Sequence, residues 1–302
     1  MVLFIAAVLV PHSTTLAKQP ASEPLNILLT NDDGYQSPGI QYLRAALLAA
    51  GHNVTVVAPL DEQSGTGATV DDSEWVEVLE QSPGVWSVDN TPVAAVKVAL
   101  GLIMADNPPD LIISGMNFGQ NLGLRASTAS GTICAAHYGL QKNFPSIAVS
   151  VGIDFDEINS TPIPFPSTFE AFPLAAEFIA RLVKQLQQTS KDGRIFPPDV
   201  MLNINVPIPY SDINGILFTR FGKLTFVDVA YLDVYGVIPY GGGMVLTIID
   251  FPVSPDPVAN SDFDAHAGGY ISITVMDGDM STLHPPAIRN KVMNRLSDLS
   301  TY

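Results

Sequence analysis

From Leu25 to Ala58 the chain reads as a short apolar run, a helix and a second apolar run, and this unit restricts the fold more than any other feature. Leu25 to Thr30 stops at polar residues. Ser37 and Pro38 then supply an N-cap and a proline for the first helical turn, while Ile40, Leu43, Leu47 and Leu48 fall on one helical face. Gly51 closes that helix, and Val54 to Ala58 is a β-branched run halted by Pro59. Two strands joined through one helix must lie parallel, because a crossover of that length returns the chain to its starting edge. The alternation continues with a helix opened by Thr91 and Pro92 and running to about Met104. A strand follows at Asp110 to Ser114, then a helix from Ser130 to Gln141 and a strand beginning at Ser146. The chain therefore predicts an α/β fold with a doubly wound, mostly parallel sheet and ligands at the carboxyl ends of its strands.

Beyond this Rossmann-like core the order changes. A long helix from about Thr168 to Gln188 and the strand VMLNINVP are followed by a Gly- and Pro-rich, strand-rich region from Gly215 to Asp264, which reads as a hairpin arm. GYISITV from Gly269 is a last strand, and AIRNKVMNRLSDL is an amphipathic C-terminal helix. Residues 1–17 carry an apolar run from Val2 to Val10 and a small-residue TLA before Lys18, the pattern of a secretory signal peptide. A periplasmic or secreted location follows; a cytoplasmic one follows if that run is instead a first strand.

Charge excludes some partners. With 30 acidic against 14 basic residues and a formal net charge of −16, there is no basic stripe for nucleic acid or for an anionic membrane surface. The single cysteine, Cys134, rules out an intrachain disulfide.

The first strand-to-helix turn lacks the glycines of a dinucleotide site and instead holds Asn31, Asp32, Asp33 and Gly34. Adjacent carboxylates are costly unless a cation shares them. Two further loops follow predicted parallel strands and open at the same sheet edge: DEQSG, with Ser64, and SGMNFGQNLG, with Asn117 and Asn121. Two carboxylates, a hydroxyl and an amide oxygen make an all-oxygen donor set suited to Mg²⁺ or Mn²⁺. Ser130, Gly131 and Thr132 open the next helix and offer backbone N–H groups to a phosphate. Asp32 and Asp33 are thus the candidate catalytic residues beside an ion that holds phosphoryl oxygen and activates water. AVSVG around Ser150 has the spacing of a nucleophile elbow but is followed by IDFDE where a helix would have to start, so Ser150 reads as a strand residue.

Taken in order, ILLTNDDG, PGIQYL, VVAPLDEQSG, LIISGMNFGQNLG, SGT, LNINVP and GYISIT resemble the SurE-type nucleotidases and acid phosphatases over nearly all of residues 25–276. The resemblance implies a metal-dependent phosphomonoesterase acting on nucleoside 5′-monophosphates, and on 3′-monophosphates as a second class, divided into a core over 25–221, a β-rich arm over 222–268 that builds a homodimer or homotetramer, and a final core strand and helix over 269–302. It implies Asp32, Asp33, Ser64 and Asn117 as metal ligands, and Asn121, Ser130, Gly131 and Thr132 as phosphate-binding residues. Two departures bear on substrate choice: Ala94 and Ala95 replace an acid and a cysteine, and Leu124 and Arg125 stand where acidic residues are usual. The alternatives are a secreted nucleotide- or metal-binding protein without hydrolytic activity, and an esterase built on Ser150.

Overall fold

The computed structural model describes residues 23–190, 195–197, 199–225, 228–232, 246–250 and 254–277, with the backbone alone for 228–232 and 246–250. The signal peptide expected over 1–17 and the C-terminal helix expected from Ala287 lie outside the described residues.

The first unit forms as its pattern dictates: β1 (Asn26–Thr30), α1 (Pro38–Ala49) and β2 (Asn53–Pro59). β1 and β2 are parallel, with Ile27 opposite Val54 and Leu29 opposite Val56. On the other side of β1 lies β5 (Leu111–Phe118), also parallel, with Leu29 opposite Ile113. Between them in sequence come a hairpin of β3 (Val78–Ser82) and β4 (Val85–Val88) and the helix α2 (Pro92–Val98). α3 (Gly123–Ala129), α4 (Gly131–Gln141), β6 (Ser146–Val151), α5 (Pro166–Thr189) and β7 (Val200–Val206) follow. β8 (Gly215–Thr219), α6 (Asp262–Ala267) and β11 (Tyr270–Asp277) complete the core. β9 (Asp228–Leu232) and β10 (Leu246–Asp250) pair antiparallel in a separate ribbon.

Among the described residues nine strands form one sheet, in the order β3-β4-β2-β1-β5-β6-β7-β11-β8. From β1 the chain first winds toward β2 and later returns to β5 on the opposite side. β1 and β5 therefore flank a topological switch point, and the crevice outside their carboxyl ends is where such sheets bind ligands. The sheet is mixed at its far edge, because β11 runs antiparallel to β7 and parallel to β8.

Both faces of the sheet are covered. Leu29, Ile40, Leu43, Ile113, Phe172 and Ile179 join α1 and α5 to one face, while Leu28, Val57, Ala95, Ile112 and Ala135 join α2 and α4 to the other. Fully burying the Leu, Ile, Val and Phe side chains among these contributes about 1.5–3 kcal/mol each. Gly39 shows how close α1 comes: a Cβ there would lie 2.0 Å from the Met116 carbonyl oxygen.

Four elements depart from the sequence reading. The helix opened by Thr91 is α-helical only to Val98 and continues as a wider π-turn over Ala99–Ile103, where Gly101 interrupts it. The β3–β4 hairpin was not foreseen, since β3 is half-exposed or exposed throughout and lacks an apolar run. Neither was α3, whose small residues carry no hydrophobic period. β5 extends past Ser114 to Phe118 through a register shift, so the Asn117 loop begins inside a strand. Among the described residues no helix is long and apolar enough to cross a membrane.

Candidate functional site

The turn after β1 is built by Asn31. Its side chain is buried and donates to the Gly34 carbonyl at 2.9 Å and to the Ser37 hydroxyl at 2.7 Å. This closes the NDDG turn onto the start of α1, where Gly34 has φ of +93°. The loop after β2 is tied to the same turn, for the Gln63 amide donates to the Asp32 carbonyl at 2.7 Å. The ends of β1 and β2 thus meet at Asp32 and Asp33.

The two aspartates face different surroundings. Asp32 is 2% exposed, and its carboxylate accepts the Thr132 hydroxyl and the Thr132 amide from the first turn of α4. Gly131 allows this approach, since a Cβ there would sit 2.8 Å from the Asp32 Cβ. Asp33 is half-buried and accepts the Phe118 amide at 3.1 Å. It lines a cleft of about 460 Å³ together with Glu62, Ser64, Ser37, Phe118 and Phe172.

Burial raises both carboxyl groups, Asp32 to about 6 against the Thr132 bonds that lower it. Asp33 goes up to about 8, through burial first and the Asp32 charge second. Glu62 adds a smaller push in the same direction to each. Without a cation the pair cannot carry two full charges at neutral pH.

A second observation bears on what the pair can hold. The Asn117 amide nitrogen donates to the Gly119 carbonyl at 2.6 Å, which leaves its Oδ1 buried and without a hydrogen-bond partner. A buried acceptor left unmade costs about 1–3 kcal/mol unless something fills it. An oxygen-preferring cation fits the donors: two carboxylates, the Asn117 Oδ1 and the exposed Ser64 hydroxyl. Among the described residues no three His, Cys, Asp or Glu side chains converge as a metal cluster, so this set has only two anionic members.

The expected phosphate residues are partly assembled and partly otherwise engaged. The Ser130 hydroxyl caps α4, accepting the Ile133 amide at 3.2 Å. Thr132 spends its hydroxyl on Asp32. Asn121 is held most firmly: its amide donates to Asn205 Oδ1 at 2.7 Å, and its carbonyl accepts Asn203 Nδ2 and Asn205 Nδ2, each at 3.1 Å. Its side chain donates to the Ser150 hydroxyl at 2.9 Å and lies 3.5 Å from Thr132 Oγ1. Ser150 is a β6 residue as read from the sequence, its hydroxyl accepting from Asn121.

Sequence reasoning missed Asn31, Glu62, Asn203 and Asn205. For the last two a signal existed, because a buried strand that alternates polar and apolar residues, as LNINV does, needs partners for its amides. Register then aligns Asn117, Ser150, Asn205 and Ser272 as one row across β5, β6, β7 and β11.

Known proteins share both the sequence pattern and the fold. A family model described as Survival protein SurE matches residues 27–228. A protein named 5′-nucleotidase SurE from Thermosynechococcus vestitus is 36% identical over 267 residues, covering 85% of this chain and 92% of its own. A protein of the same name from Treponema pallidum is 40% identical over 183 residues, covering 60% and 89%. The crystal structure of a SurE protein from Aquifex aeolicus superposes with a TM-score of 0.70 at 30% identity, covering 91% of this chain and 99% of that one.

Proposed function

Because the chain belongs to the SurE family, we propose that it is a phosphomonoesterase that hydrolyses nucleoside monophosphates to nucleoside and phosphate, with a hard divalent ion at Asp32, Asp33, Asn117 and Ser64. The names of its relatives, 5′-nucleotidase, support the reaction class. The observations that carry the ion are the raised Asp32–Asp33 pair and the unpartnered Asn117 Oδ1, one residue before the Phe118 amide that donates to Asp33. When bound, Mg²⁺ or Mn²⁺ supplies positive charge to phosphoryl oxygens and acidifies water.

The chain's own residues do the rest. The Asn121 side chain and the amino-terminal turn of α4 at Ser130 and Gly131 orient the phosphoryl group against the buried side of the site. Thr132 holds Asp32 in place by donating its hydroxyl and amide. Asp33, nearer the cleft, accepts a proton from attacking water as the ester bond breaks, and the leaving alcohol oxygen takes up a proton.

The test is phosphate release from a panel of 5′- and 3′-nucleoside monophosphates, with and without chelator, followed by add-back of Mg²⁺ or Mn²⁺. Release from the 5′ series that chelation abolishes and metal restores is the expected result. Binding without release favours a nucleotide-binding protein. Release that survives chelation and disappears in Ser150→Ala favours the esterase. Export and assembly rest on the sequence alone; mature N-terminal sequencing and solution mass measure them.

A further inference from the structure

The Asp32 side of the site is walled by hydrogen-bonded side chains, Thr132, Asn121 and Ser150, and Asp32 is 2% exposed. Open volume reaches the carboxylate pair on the Asp33 and Ser64 side, in the 460 Å³ cleft. That volume lies in the range of small-molecule sites. With the phosphoryl group placed as proposed above, this cleft, which reaches Asp33, is the space offered to the alcohol half of the ester.

The lining of the cleft is specific. One wall is aromatic: Phe118, half-buried and part of a cluster in which its ring centroid lies 5.5 Å from Phe165 and 6.1 Å from Phe172. Such a wall suits the flat face of a base. The opposite chemistry comes from Glu62, exposed, lining the cleft, and near enough for its charge to be felt by both Asp32 and Asp33. Among the described residues that line the cleft there is no lysine or arginine, and of its two carboxylates Asp33 is assigned to the ion, which leaves Glu62 as the uncommitted negative charge. The amino end of α1 on the same wall offers about half a positive charge, less than one carboxylate. The net charge of −16 adds to the repulsion at longer range.

We propose that Glu62 is a specificity-determining residue of this leaving-group cleft, and that it disfavours esters whose leaving group carries further phosphate. This inference rests on the phosphomonoesterase reading and adds a residue that selects among its substrates. In each turnover the bond from phosphorus to the ester oxygen breaks, a water oxygen replaces it, and a water proton ends on the departing alcohol. With 5′-AMP the departing alcohol is uncharged adenosine. With adenosine 3′,5′-bisphosphate the same base is present, and removal of either phosphate leaves an anionic nucleotide beside Glu62.

The experiment compares kcat/KM for these two compounds in the wild-type protein and in Glu62→Gln, with Mn²⁺ present. Glutamine keeps the acceptor that Glu62 Oε1 presents to the Ser64 amide at 2.6 Å, so the loop is retained while the charge is lost. The ratio of bisphosphate to 5′-AMP rises about tenfold in Glu62→Gln. In the wild type the same ratio rises with added NaCl as the cleft charge is screened, and that salt dependence shrinks in the variant. A ratio unchanged by the substitution, or a wild type that prefers the bisphosphate, overturns the inference and leaves the phosphomonoesterase reading intact. Failure to hydrolyse 5′-AMP in any divalent metal brings down the reading itself.

Discussion

Asp32 and Asp33 are consecutive residues, yet they belong to two different halves of the site. Asp32 lies in a closed half built of hydrogen bonds: Thr132 donates to it, and Asn121 behind Thr132 is fixed through main chain and side chain by Asn203, Asn205 and Ser150. Asp33 lies in an open half, with one amide donor, an exposed serine and an acidic, aromatic cleft. The closed half can orient a group of fixed shape, the phosphate. The open half can choose among leaving groups. A single turn serves both because adjacent residues leaving a strand end diverge, and because Asn31 and Gly34 lock the turn that carries them.

This division can be broken by experiment, and the largest effect concerns what joins the halves. Removing divalent metal with a chelator takes phosphate release to background, and stoichiometric Mn²⁺ restores it. In the metal-free protein the same pair has a stability signature. Both folded pKa values lie above the ordinary 3.8, so between about pH 4 and pH 8 the folded state holds more protons than the unfolded one, and stability falls as pH rises through that window. Thermal melts across that window, with and without Mn²⁺, check the sign, since bound ion removes the loss.

Asp33→Asn comes next. Turnover falls by about 10³-fold, while the metal-free melting temperature at pH 8 rises by about 2–4 °C, because one of two crowded charges is gone. Steady-state rates and calorimetry on one preparation read both. A parallel loss of stability and activity would mean that Asp33 is a folding residue.

The closed half is tested by Asn205→Ala, which removes one donor and one acceptor from the Asn121 main chain. KM and the inhibition constant for inorganic phosphate rise by about tenfold, whereas the melting-temperature shift on adding Mn²⁺ is retained. Loss of that shift together with phosphate affinity would merge the two halves into one.

The smallest effect lies behind the site. His266 on α6 has its Nε2 buried without a partner, and burial lowers its pKa to about 4. A histidine depressed in the folded state contributes stability above its unfolded value near 6.5 that is lost as pH falls toward 4. His266→Gln flattens the melting curve over that range by about 2–4 °C, visible in wild-type and variant melts at pH 4.5 and 7.

Much of this was legible in the chain itself. The apolar runs at Leu25, Val54, Leu111 and Ser146 are parallel strands, and NDDG sits at the carboxyl end of the first, where a parallel sheet presents ligands. What was not legible depends on register. Asn205 reaches Asn121 only because β7 lies beside β6, which no local pattern encodes. Glu62 reads as one more acid in an acidic chain until the loop after β2 folds back to Asp32 and places it on the cleft. Thr132 reads as an exposed first-turn residue free to meet phosphate, until Gly131 brings α4 close enough for it to serve Asp32.

The central claim is that a crowded carboxylate pair and one unpartnered amide oxygen are held for a hard cation. Calorimetric titration of Mn²⁺ into the wild-type protein and into Asp33→Asn and Asn117→Ala tests it most directly. One saturable ion per chain in the wild type, with affinity lost in Asp33→Asn and weakened in Asn117→Ala, is the predicted result. Equal Mn²⁺ affinity in all three proteins, or none in the wild type, would contradict it.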